Sequence, residues 1–152
     1  MPTDNQRKFK IGGLDTKLRY KSAAPVILKS KLKTVHKQID NYLKDVSTEN
    51  LHAMRIAFRR LRYVMEIFSE CYEPKLFNKV YNKVKKLQDL IGEGRDLDVL
   101  EMKVKNIEQQ VHKKMPKYFY RKIEEEKKQI RYAIKMEMIN FIVNKDVNRI
   151  FK

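Results

Sequence analysis

A single cysteine, Cys71, in 152 residues leaves no disulfide within the chain, so stability has to come from packing. Glycine and proline number four each, too few for the repeated turns of a β-sandwich or barrel, and tryptophan is absent. No apolar run approaches the ~18 residues that span a bilayer, and the basic start lacks the apolar segment of a signal peptide. A cytoplasmic protein with no membrane partner is the expectation. Carboxylates are also scarce: 19 Asp and Glu face 35 Lys and Arg, for a net charge of +16. Motifs of catalysis are missing, with no P-loop, nucleophile elbow or HExxH. Zinc-finger spacing, RNP-type aromatic strands and a KH-type GXXG loop are missing as well.

What is present is an amphipathic helical sequence of one-domain length, 42% hydrophobic, with apolar positions recurring every three or four residues. The predicted fold is all-α, a bundle of about five helices with a four-helix core unit and a long C-terminal helix. Residues 1–22 read as a basic arm, 23–143 as the helical bundle and 144–152 as a basic tail. Pro25 suits a first helical turn near Ala23, and Leu28, Leu32, Val35, Ile39, Leu43 and Val46 follow helical spacing in a first helix that ends around Asp45. Ser47 to Asn50 offer caps for a second helix, about Leu51–Tyr72, which Pro74 ends. A third helix from Lys75 to Ile91 should stop at Gly92-Glu93-Gly94, with Asp96 and Asp98 capping a fourth. Pro116 opens the fifth, in which Phe119, Ile123, Ile130, Ile134, Met138 and Phe141 mark the buried side.

On the second helix Leu51, Met54, Phe58, Leu61, Met65 and Phe68 fall in an arc of roughly 100°. His52, Arg55, Arg59 and Arg62 share an adjacent stripe with no carboxylate before Glu66. Like charges at this spacing repel by a few tenths of a kcal/mol per pair, so an anionic partner removes a conflict built into the sequence. Lys79, Lys83 and Lys86 form a second row on the third helix, and antiparallel packing would let both rows line one groove. Arg supplies a planar fork for phosphate oxygens and Lys a point charge, which makes the expected ligand a polyanion. His36 and His112 stand alone as surface or core-edge residues, Cys71 reads as an apolar filler, and Tyr118, Phe119 and Tyr120 as core. The acidic residues Asp89, Glu93, Asp96 and Asp98 cluster where capping explains them, so no enzyme, metal or cofactor is expected.

The segment from Asn50 to Tyr63, NLHAMRIAFRRLRY, resembles the histidine motif of the CHAD family, the conserved histidine α-helical domain. A second block agrees with it: Leu87 to Gly92, LQDLIG, followed by Arg95 to Leu100, RDLDVL, is similar to the family's second element. The resemblance implies a helical module that binds inorganic polyphosphate through His, Arg and Lys side chains lining a basic cavity or pore. Carried over by motif position, the contacts become His52, Arg55, Arg59, Arg62 and Arg95, with Lys83 and Lys86 added from the helix before the second block and Arg60 expected on the other side, exposed or paired with a carboxylate. Polyphosphate granules are then one expected cytoplasmic location. Family domains generally have two related halves, whereas this chain carries one copy of the motif. Homodimerisation about a true twofold would restore the missing wall. The alternative function is non-specific nucleic-acid binding by a basic bundle, which +16 alone would motivate.

Overall fold

The computed structural model of the chain describes residues 11–15 and 17–152, so residues 1–10 and 16 of the expected arm lie outside the described residues. Its helices are α1 (Tyr20–Lys44), α2 (Thr48–Ile67), α3 (Pro74–Val111), α4 (Lys117–Val143) and α5 (Lys145–Arg149), with a 3-10 turn at Ser69–Cys71 between α2 and α3. No strand occurs among the described residues, and none of their helices is long and apolar enough to cross a membrane. The all-α bundle is therefore established.

Short-range chemistry places the turns. Ser47 accepts a hydrogen bond from the Asn50 amide at 3.1 Å, and the Asn50 side chain donates to the Asp45 carbonyl at 2.8 Å, tying the end of α1 to the start of α2. Glu73 accepts from the amides of Lys75 and Leu76, both at 2.9 Å, with Pro74 beginning α3 where its missing N–H is harmless. α1 starts at Tyr20, earlier than Ala23, and encloses Pro25. The cause lies at its first residue: the Tyr20 hydroxyl donates to the Ile67 carbonyl, and its ring sits 5.0 Å from that of Phe68.

The largest departure from the sequence expectation is α3, one helix of 38 residues where two were expected. Gly92 and Gly94 do not end it. A Cβ on Gly94 would meet Ile134 Cδ1 at 3.0 Å, Ile130 Cγ2 at 3.2 Å and Leu51 Cδ2 at 3.3 Å, so this glycine is the point where α2 and α4 both close on the α3 backbone. Two helical glycines cost about 2 kcal/mol in propensity, which the packing of three helices outweighs. With no helix start at this place, Asp96 and Asp98 cap nothing. The expected tail also differs, because Val147, Ile150 and Phe151 are buried and α5 packs as part of the bundle. Phe151 meets the edge of Tyr72, with centroids 5.4 Å apart.

Asp98 instead enters a buried ionic cluster between α3 and α4. Lys127 Nζ lies 2.6 Å from Glu101 Oε2 and 3.3 Å from Asp98 Oδ1, with all three side chains at most 15% exposed. Burial pulls the Lys127 pKa down, but the bonds from Glu101 and Asp98 outweigh it and hold the ammonium above its ordinary value. Glu101 is held below the ordinary carboxylate range by its bond from Lys127, with Lys105 adding to it.

Gly92→Ala, which meets nothing within 4 Å, should stabilise by about 0.5–1 kcal/mol, whereas Gly94→Val should destabilise by about 1–3 kcal/mol, read by thermal and urea unfolding. Lys127→Met removes the central cation of the cluster, leaving Glu101 with Lys105 at 3.1 Å and Asp98 with Arg131 at 3.9 Å, and should cost about 3 kcal/mol near neutral pH. That cost should shrink as pH falls and protonation removes the carboxylate charges. In the native chain, by contrast, the Glu101 contribution is present above the unfolded carboxylate pKa and lost as pH drops through its lowered folded value.

Candidate functional site

The buried face of α2 orients its polar residues. Leu51, Met54, Phe58, Leu61 and Met65 are at most 2% exposed, which turns the His52, Arg55, Arg59 and Arg62 stripe to the edge of the bundle beside α3. His52 and Arg59 are exposed, while Arg55 and Arg62 are half-buried. The register of the antiparallel α2–α3 pair is given by two contacts. Leu51 lies against Gly94, and Arg62 reaches Tyr81 and Gln88, with Nε 3.4 Å from the Tyr81 hydroxyl and Nη1 3.5 Å from Gln88 Oε1.

At 100° per residue Gln88, Lys85 and Arg95 lie within about 40° of Tyr81 on α3, so they share the flank that faces Arg62. Lys79 and Lys83 lie about 160° away, on the opposite flank. There Lys79 Nζ pairs with Asp146 Oδ2 of α5 at 2.7 Å. The Lys79 bond, with Arg149 and Lys83 adding to it, holds Asp146 below the ordinary carboxylate range. The two rows expected to line one groove are therefore set on different sides of α3. Lys83 faces α5, and Lys86 continues that row on the exposed surface. The antiparallel packing occurs as anticipated, but the lysine row turns the wrong way because Val80, Val84, Leu87 and Ile91 take the core side between the flanks.

Arg62 is the member of the stripe already engaged. Its Nε donates to Glu66 Oε1 at 3.1 Å, and the Tyr81 hydroxyl donates to the same oxygen at 2.6 Å. The Tyr81 bond is the first cause of a Glu66 pKa below its ordinary value, with Arg62 and Lys85 adding charge. Arg62 thus clamps α2 to α3. His52, Arg55, Arg59 and Arg95 pair with no carboxylate among the described residues, leaving the three guanidinium charges available beside the imidazole. Arg95 lines a groove of about 460 Å³ with Thr48 and Glu49 of the first α2 turn, at the His52 end of the stripe. The same groove contains Asp98, Glu101 and Lys127, whose charges answer one another.

Sequence reasoning missed Tyr81, Lys85 and Gln88. Their spacing of four and three residues is a readable signal of one helix flank, but the lysines at 79, 83 and 86 repeat the same spacing on the other, and periodicity alone does not say which flank meets α2. Among the described residues no three His, Cys, Asp or Glu side chains converge on a metal-sized space. Tyr81→Phe should raise the Glu66 pKa toward its ordinary value and loosen the Arg62 clamp. Carboxyl NMR titration of Glu66 reads this directly, and an unmoved titration would reject the hydroxyl as the controlling group.

A family model described as the CHAD domain matches residues 6–104, which takes in α1, α2 and α3 as far as Val104. No curated protein and no solved structure matches the chain. Both blocks singled out in the sequence, around His52 and around Arg95, lie inside the matched span. The chain belongs to the CHAD domain family.

Proposed function

We propose that the protein binds inorganic polyphosphate without catalysis, along the α2–α3 edge that presents His52, Arg55, Arg59 and Arg95. The observation that carries this reading is the local charge. Four basic groups lie on one edge with no ion pair to a carboxylate among the described residues, while Glu66, at the Arg62 end of the stripe, is occupied by Arg62 and Tyr81. A linear chain of phosphates matches such a row through charge-assisted contacts repeated along its length. Lys85 extends the row on α3, and Lys83 and Lys86 contribute to the field from the other side without facing the stripe.

Nucleic acid is the competing ligand, and one residue favours it. Tyr63 is 52% exposed beside the stripe and offers a ring on which a base could stack. Homodimerisation belongs to the same proposal, since the chain carries one histidine motif. α4 supports it with a second apolar row, Tyr132, Met136, Ile139 and Val143, each 39–67% exposed and turned away from its own core. In a twofold antiparallel contact Tyr132 would meet Val143 and Met136 would meet Ile139.

Calorimetry with polyphosphate of defined length should show a loss on the order of 100-fold for the combined alanine variant of His52, Arg55, Arg59 and Arg95, with helical circular dichroism unchanged. Lys79→Ala with Lys83→Ala should cost less than about threefold on the same reasoning, because those side chains answer Asp146. Displacement of polyphosphate by tRNA at equal phosphate concentration would instead favour the nucleic-acid reading. Light scattering of the polyphosphate complex should give twice the chain mass, and a monomeric complex would reject the dimer.

A further inference from the structure

Past Ile91, α3 adds no residue to the main apolar core among the described residues, yet it continues to Val111. With the first part of α4 it forms a two-helix projection, stapled at its base by Lys127 between Asp98 and Glu101. From Glu101 to Val111 the rise is ~15 Å. The end of this projection lies outside the span matched by the family model.

The composition of the tip is unlike that of a solvated turn. Residues 112–122 hold five Lys and Arg and no Asp or Glu. Among these cations stand large apolar side chains open to solvent: Val111 at 54%, Met115 at 40% and Tyr118 at 69% exposure. Tyr118, expected in the core with Phe119 and Tyr120, is the most exposed of the three. His112 ends α3 with φ of 53°, a left-handed cap that a histidine adopts at some cost and a glycine would adopt freely. Beneath the cap is a groove of about 440 Å³ lined by Lys105, Glu108, Gln109, His112, Lys113 and Lys114. Three ammonium groups against one carboxylate leave it net positive, even with Lys105 shared with Glu101 at 3.1 Å.

We propose that this tip docks on the surface of an anionic lipid bilayer, with headgroup phosphates at the Lys105–Lys114 groove and Val111, Met115 and Tyr118 entering the interfacial layer. Basic residues ringing exposed aliphatic and aromatic ones are the combination that favours such an interface, where each apolar group leaves water and each cation meets negative charge. Nucleic acid would satisfy the lysines but offers no apolar layer to Val111 and Met115. A second copy would bring the same five cations face to face. The expectation of no membrane partner rested on the lack of a spanning run, and surface docking requires none. The proposal is separate from polyphosphate binding, because Val111, Lys113, Lys114, Met115, Lys117 and Tyr118 belong to neither the His52 stripe nor the groove beside Arg95, which shares only Lys105 and Gln109 with the tip groove.

The test is co-sedimentation at physiological salt with vesicles of phosphatidylcholine alone, or of phosphatidylcholine with one-third phosphatidylglycerol. The intact chain should partition to the second and not to the first. Alanine at Lys113, Lys114 and Lys117 together should lower partitioning on the order of 100-fold. Alanine at His52, Arg55 and Arg59 should change it by less than about threefold, in keeping with screening of charges distant from the surface. Because the chain has no tryptophan, Tyr118→Trp adds a unique indole whose emission should shift to the blue on anionic vesicles. Equal partitioning of the tip variant, loss confined to the His52-edge variant, or sedimentation without an emission shift would each overturn the proposal. So would loss of tRNA affinity in the tip variant together with failure of the intact chain to sediment.

Discussion

The contact at Gly94 is the constraint on which the arrangement depends. There the α3 backbone lies bare, and Leu51 from α2 and Ile130 and Ile134 from α4 come within 3.0–3.3 Å of where a Cβ would stand. Three helices are thus locked at one level, and the position of everything along α2 and α3 follows from it. Arg95, the next residue, falls beside the first turn of α2 that leads to His52. Towards the other end of the pair, Arg62 falls opposite Tyr81 and Gln88. A bulkier side chain at this level would push α2 and α4 off the helix and blur the alignment of the basic edge.

Carboxylates decide where the excess positive charge remains free. Several of the few available are consumed at helix junctions: Glu66 with Arg62 and Tyr81, Asp98 and Glu101 with Lys127, and Asp146 with Lys79 and Arg149. Each joins two helices or closes a turn, and each neutralises the cations around it. Among the cations that escape are those of the His52, Arg55, Arg59 and Arg95 edge at one side of the bundle, and of the lysine-rich tip at the far end of α3 and α4. Part of the net charge of +16 is therefore neutralised at these joints, and part is concentrated at the basic edge and at the tip.

Much of this was legible beforehand. Apolar spacing identified α1, α2 and α4 and the buried face of α2, and with that face given, the direction of the basic stripe followed. The His52 and Arg95 blocks were recognisable because their residue types and distance are specific. Gly92 and Gly94 misled, since a local preference for ending helices was overridden by a contact made by residues around 40 positions distant in either direction. Asp98 misled for the same reason: with no helix end beside it, its carboxylate turned to Lys127. The basic tail hid a helix because Val147, Ile150 and Phe151 gain their meaning only against the core that receives them. The flank of α3 that faces Arg62 depended on register, which no single helix specifies.

Amide and side-chain NMR of the labelled chain, titrated with polyphosphate, tests the arrangement most directly. A register fixed at Gly94 places the ligand along one edge, so the first and largest shifts should fall on His52, Arg55, Arg59, Lys85 and Arg95. Shifts centred on Lys79 and Lys83 beside α5, or spread evenly over the helices, would contradict it.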